Sequence, residues 1–251
     1  MEQGRPLVEA TYVSYVYGAH RAVTDVSLKV GAGELVALVG RNGAGKSTLL
    51  RCLAGWERAT AGEVRLLGLP VDRHERQARA HAILVPDMPS FYDELSAWEH
   101  VQFVAEVHRR VDWPAQAERL LKRFGLWSQR AALPLAFSRG MRYKLALCMA
   151  LVVAPPVLLL DEPFGPLDPI SAAHLWDDLW AYRSEGGGVL LSSHQLPPHV
   201  QPDRYLVMEE GTIVLQGSSS DLQRTLRLNA LTVGALLQGA VAGAPVRADD
   251  A

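Results

Sequence analysis

Residues 40–48 read Gly-Arg-Asn-Gly-Ala-Gly-Lys-Ser-Thr, and no other stretch restricts the fold as much. Glycines at this spacing let the backbone turn so that several N–H groups point inward at one anion. Both flanks needed to hold such a loop are present. Glu34-Leu-Val-Ala-Leu-Val39 is a short apolar run that reads as a buried strand. Thr48-Leu-Leu-Arg-Cys-Leu-Ala54 reads as a helix, whose N-terminus adds partial positive charge. In such a strand–loop–helix, Gly40, Arg41, Asn42, Gly43, Ala44 and Gly45 form a phosphate cradle. Lys46 reaches the β- and γ-phosphates, and the Ser47 hydroxyl, followed by Thr48, is placed to hold Mg2+.

The rest of the chain alternates in character. Residues 7–17 read as an edge strand and Val23–Val30 as a second, closed by Gly31-Ala-Gly33. Gly62–Leu67 is a further strand, ended by Gly68 and Pro70, and Ala82–Val85 a short buried one stopped by Pro86. Residues 90–137 turn helical. Ser96-x-x-Glu99 is a capping box, Pro114 suits a first helical turn, and Gly125 suits a helix end. Ser138 and Gly140 precede a helix, Arg142–Ala150, whose N-terminus is either an anion site or a plain N-cap. Continuous apolar runs then return at Val157–Leu160 and Gly188–Ser192, as expected of parallel strands covered on both faces. Tyr205–Met208 and Thr212–Leu215 read as a closing hairpin. The fold class is therefore α/β. Residues 1–217 form one domain with a helical insertion at about 90–150, and 218–251 an extension that becomes a loose tail from about Gly239.

Val157–Leu160 leads into Asp161-Glu162. Two acids at a strand end, downstream of a phosphate cradle, supply the second half of a nucleotide hydrolase: Asp161 for Mg2+, Glu162 for orienting the attacking water. Ligands of open α/β folds sit at that edge of the sheet.

Composition narrows the class. The 251 residues carry a net charge of −2, so bulk charge points to no nucleic acid. Arg73, Arg76 and Arg79, interleaved with Glu75, read as a solvated helix face. Cys52 and Cys148 are far apart and read as buried reduced thiols, and the eight histidines show no metal-ligand spacing. Met1-Glu-Gln-Gly-Arg-Pro is not followed by an apolar stretch, so no leader is expected. The apolar run Leu145–Leu160 is broken by Pro155-Pro156 and is shorter than the ~20 residues of a membrane helix. A soluble chain is expected, with any membrane role supplied by a partner.

Together these segments resemble the ATP-binding cassette (ABC) family, the motor subunits of ABC transporters, over about Tyr12 to Gly217. Gly40–Ser47 is similar to its Walker A motif, Val157–Glu162 to Walker B with the catalytic glutamate, and Phe137–Met141 to its signature. Leu167-Asp168-Pro169 resembles the D-loop, and Ser192-Ser-His194 the switch histidine. Tyr17 stands where the family stacks a ring on adenine, with Tyr15 as the alternative. The resemblance implies a RecA-like P-loop core with an N-terminal antiparallel β subdomain and a helical subdomain. It also implies ATP and Mg2+ as ligands, and catalysis by Glu162, His194 and Lys46. Two copies would pair head to tail, each ATP lying between the cradle of one and Ser138 and Gly140 of the other. The chain would lie on the cytoplasmic face of the membrane, driving a membrane-spanning permease.

Two positions depart from the family pattern. Residues 85–87 read Val-Pro-Asp where the family has Val-Pro-Gln. Asp87 can still offer Mg2+ a hard oxygen, or serve only as a structural loop residue. Arg139 replaces a signature glycine and Met141 a glutamine. Both departures look like the exporter-type branch that pairs with ABC-2 membrane subunits, which favours export. Pro197, Pro198 and Pro202 follow His194 and shorten or delay the helix usual there. The alternatives are a DNA- or ribosome-associated ABC protein, for which coiled-coil heptads or a second cassette are lacking, and a regulatory subunit with little turnover.

Overall fold

The computed structural model describes residues 5–227 and 231–241. In chain order its strands are β1 (Val8–Tyr17), β2 (His20–Val30), β3 (Leu35–Val39), β4 (Ala61–Leu66), β5 (Leu69–Pro70), β6 (Ala82–Val85), β7 (Val157–Leu160), β8 (Gly188–Ser193), β9 (Arg204–Glu209) and β10 (Thr212–Ser218). The α-helices are α1 (Lys46–Leu53), α2 (Glu75–Arg79), α3 (Ala97–Val107), α4 (Trp113–Arg123), α5 (Arg139–Val153), α6 (Pro169–Ser184), α7 (Ser219–Leu226) and α8 (Val233–Val241).

Alternating and continuous apolar strands end up in different sheets. β1, β2 and β4, apolar mainly on one side, pair antiparallel with β5 in the order β2-β1-β4-β5. The continuous runs form a six-stranded sheet, β10-β9-β3-β8-β7-β6, in which five strands are parallel and only β10 runs antiparallel at the edge. Successive side chains of a strand point to opposite faces. A run such as Leu35-Val-Ala-Leu-Val39 therefore serves two cores. Val36 and Leu38 join Leu159, Leu190, the inner face of the antiparallel sheet and α1. Leu35, Ala37 and Val39 join Leu158, Leu160, Leu191 and the helices on the other side.

The helical insertion packs on this second core through Leu145, Leu147, Cys148 and Val152 of α5 and through Val101, Ala105, Leu120 and Leu121 of α3 and α4. Trp98 holds α3 to its surroundings, with its ring centroid 5.1 Å from Trp113 and 5.8 Å from Trp127. The capping box forms as its spacing predicts. Ser96 Oγ accepts from the Glu99 N–H at 3.3 Å, and Glu99 Oε2 accepts from the Ser96 N–H at 2.7 Å.

Several boundaries differ from expectation for local reasons. α5 starts at Arg139 rather than Arg142, because Ser138 Oγ caps it by accepting from the Met141 N–H. Beyond Gly68 the chain forms the two-residue strand β5. Between β8 and β9, where the prolines were expected to shorten a helix, no helix forms. In the C-terminal extension, α7 and α8 place Leu222 and Leu236 in the core, and residues 242–251 lie outside the described ones. Cys52 and Cys148 are buried thiols, and burial pushes the Cys52 thiol up to about 12. Among the described residues no helix is long and apolar enough to cross a membrane.

Leu38 is fully buried between the sheets, so Leu38→Ala is expected to destabilise the fold by about 2–5 kcal/mol, whereas loss of the α3 cap in Ser96→Ala costs about 1 kcal/mol. Urea unfolding midpoints of the two variants check the order.

Candidate functional site

β3 ends at Val39, and Gly40–Gly45 carry the chain over to α1. Gly45 caps α1 at φ 102°, and a Cβ there would meet the Ala22 carbonyl oxygen at 2.2 Å, so only glycine fits. The N-terminal N–H groups of α1 have no side-chain cap and face the loop, the arrangement that binds phosphate. Lys46, 5% exposed, folds back across it: its Nζ donates to the carbonyls of Gly40 at 2.8 Å and Arg41 at 3.2 Å. It also lies 3.3 Å from Glu162 Oε1.

Asp161 and Glu162 follow β7 and take different surroundings. Asp161 is buried, and its Oδ1 accepts from Ser47 Oγ at 3.0 Å and from Ser192 Oγ at 2.6 Å. Its carbonyl accepts from the buried Tyr143 hydroxyl at 3.2 Å, and burial raises that phenol well above its ordinary value. Glu162 sits at φ 49°, a left-handed conformation that costs a non-glycine residue about 1–3 kcal/mol and is maintained by its surroundings. Its N–H donates to Ser192 Oγ at 3.1 Å. Its Oε2 accepts from the His194 N–H at 3.2 Å and lies 2.9 Å from His194 Nδ1. Lys46, Glu162 and His194 therefore form one contiguous polar set beside the cradle.

The set borders a cavity of about 940 Å³, within the roughly 300–1,000 Å³ of small-molecule sites. Tyr17, half exposed, stands on its wall, near residues 42–48. Tyr15 does not line it: its hydroxyl donates to Glu57 at 2.7 Å and its ring packs edge-on against Tyr17. Ser47 and Asp161 converge as two hard-oxygen ligands, a set suited to Mg2+, which keeps water and substrate oxygens as its remaining ligands. No group of three or more His, Cys, Asp and Glu side chains suited to a metal occurs among the described residues.

Asp87 also lines the cavity, yet its Oδ1 accepts from Arg139 Nη2 at 2.6 Å. Ser138, Gly140 and Asp168 do not line it. Ser138 is exposed at the start of α5. Gly140 packs so closely that a Cβ would meet the Pro166 carbonyl oxygen at 2.8 Å. Asp168 caps α6, accepting from the Ser171 N–H at 2.9 Å, and pairs with Lys144 of α5 at 2.6 Å. Arg139, Tyr143, Lys144 and Ser192 escaped the sequence reading as site residues. Two of them carried a signal: Arg139 as the basic replacement within the signature segment, and Ser192 as the serine two before His194 at the end of an apolar strand.

A P-loop between β3 and α1, two acids at the end of β7 and a histidine just past β8, the strand between β3 and β7, define a nucleoside-triphosphatase of the α/β class. Residues 23–165 match the protein family described as ABC transporter. The chain is 36% identical to the ABC transporter ATP-binding protein YthP of Bacillus subtilis, covering 86% of this chain and 89% of YthP. It is 35% identical to the aliphatic sulfonates import ATP-binding protein SsuB of Escherichia coli, over 94% and 89%. It is 32% identical to the daunorubicin/doxorubicin resistance ATP-binding protein DrrA of Streptomyces peucetius, over 89% and 69%. A solved ATP-binding subunit of an ABC transporter superposes with a TM-score of 0.83 at 28% identity, covering 94% of this chain and 99% of that one. The chain belongs to the ABC transporter family as an ATP-binding subunit, an ATPase that drives transport.

Lys144, then Ser171, hold the Asp168 carboxyl well below the ordinary carboxylate range. A depressed folded-state pKa contributes stability that is complete above the unfolded value near ~4 and is lost as pH falls towards the folded one. Lys144→Gln is expected to move the Asp168 titration upward, read by NMR, and to flatten the pH dependence of stability between about pH 4 and pH 2.

Proposed function

We propose that this chain is the motor subunit of an exporter, hydrolysing ATP at sites shared by two copies of itself on the cytoplasmic face of the membrane. The observation that carries the hydrolytic part is the contact of Glu162 with both Lys46 and His194 at the rim of the cradle. Lys46 neutralises the terminal phosphates, and Glu162 orients and polarises water. His194 holds Glu162 in line and reaches the γ-phosphate. Ser47 and Asp161, with Asp87 beside them, are the residues that would hold Mg2+, whose contribution is to neutralise charge on the phosphates. Tyr17 stacks on the adenine.

The exposed start of α5 supports a two-copy site. Ser138 and Gly140 do not line the chain's own cavity, Ser138 is exposed, and a second copy placed head to tail brings its α5 N-terminus to the open side of the phosphates. Asp168 sits at the same boundary. Export is supported by Arg139 and Met141 in the signature and by Asp87, together with the kinship to DrrA, a drug-resistance protein by name.

A second cavity of about 600 Å³ lies between α1 and the helical layer, with Trp56, Met88, Phe91 and Met149 on its walls. Trp56 and Met88, 51% and 73% exposed, give this cavity an apolar rim. The loop after β6 borders both cavities, Asp87 on the nucleotide side and Met88 on this one. A cytoplasmic helix of the membrane-spanning permease is the occupant that this continuity favours, since it lets nucleotide binding move the partner.

Glu162→Gln is expected to keep ATP binding, slow phosphate release at least a hundredfold, and accumulate as an ATP-dependent dimer in sedimentation. Full turnover by that variant would remove Glu162 from the mechanism.

A further inference from the structure

The two residues that depart from the family pattern bond to each other. Asp87 leaves the parallel sheet after β6, and Arg139 opens α5 in the helical layer, 52 positions later. Their 2.6 Å ion pair therefore joins the two layers across the nucleotide cavity, which both side chains line. Neither forms another ion pair among the described residues.

The position of Arg139 is electrostatically odd. It is the first residue of a 15-residue helix with no acid in its first turn, so its guanidinium faces the positive end of the helix dipole. A cation there is stabilised only by an anion brought to it. In this structure the anion is Asp87. The bond is also easy to exchange. The two side chains are 58% and 34% exposed, and a pair of this kind biases an equilibrium by no more than about fivefold. A polyphosphate in the same cavity offers Arg139 a stronger, bidentate acceptor. Beside such a polyanion, the Asp87 carboxylate is repelled unless it ligates a cation.

We propose that Asp87 and Arg139 are an exchangeable sensor pair. They bond to each other without nucleotide, and on Mg2+·ATP binding they part, Asp87 turning to the metal and Arg139 to a phosphate. Each substitution compensates the other: the aspartate adds a charge that the amide of a glutamine would not, and the arginine cancels it until the ligand arrives. The exchange rests on the ATP site proposed above and makes the separation of the helical layer from the sheet depend on the metal as well as the nucleotide.

The test uses the full chain carrying Glu162→Gln to stop turnover, with Asp87→Asn, Arg139→Gln and the double variant. Urea unfolding is read without nucleotide, and binding of a fluorescent ATP analogue is read across a Mg2+ titration. Without nucleotide, all three variants are expected to lower the midpoint by the same amount, since each removes the same bond. With nucleotide the effects should separate. Asp87→Asn raises the Mg2+ needed for half-saturation several-fold. Arg139→Gln weakens analogue binding several-fold with Mg2+ present, and the double variant is weaker than the product of the two single effects by up to about fivefold, because each single variant also removes the cost of opening the pair. A double variant no worse than either single one in the Mg2+-bound state would mean that the pair stays closed, overturning the exchange. Failure of the parent chain to bind the analogue would instead overturn the ATP site itself.

Discussion

The register of four adjacent parallel strands is the constraint on which the site depends. Val39 of β3 pairs with Ser193 of β8, Leu160 of β7 with Leu191 of β8, and Val85 of β6 with Leu160. Parallel strands in this register stop together, so the residues that follow them share one edge. Gly40, Asp87, Asp161, Glu162 and His194 come from segments remote in sequence and meet only there. A slip of one residue in any pairing would turn every side chain of that strand to the opposite face. It would exchange the two cores as well as dismantle the site. The same alternation that divides Leu35–Val39 between two apolar layers thus also aims the cradle.

Polar groups at this edge are linked in series. Ser192 donates to Asp161 and accepts from the N–H of Glu162, tying both acids to β8. Glu162 is held on one side by Lys46 and on the other by His194. A buried lysine and a left-handed glutamate are each costly alone, and each makes the other tolerable. Ligand binding at such a site replaces internal partners rather than adding to free charges. That arrangement makes nucleotide affinity sensitive to groups that never touch the nucleotide.

The α5 helix connects this edge to the rest of the molecule. Its first turn carries Arg139, bonded to Asp87, and its second carries Lys144, bonded to the α6 cap Asp168. Its middle packs into the core through Leu145, Leu147 and Cys148. One rigid element thus touches the loop after β6, the segment before α6 and the helical layer together.

Much of the fold was legible in the sequence because it is written in short-range pattern. The cradle needs glycines at set spacing, the capping box needs Ser96 three before Glu99, and strands covered on both faces need unbroken apolar runs. Those are properties of neighbours, so a one-dimensional reading finds them. The acids at Asp161-Glu162 were legible for the same reason, as the end of such a run. Ser192, Tyr143 and the Arg139–Asp87 and Lys144–Asp168 pairs were not. Their partners lie 18 to 52 positions away, and no periodicity encodes which charge will meet which. Residue by residue, the sequence determined what chemistry each position could offer. The tertiary structure decided which offers meet, because parallel register and the seating of α5 on the sheet set distances that local pattern does not contain.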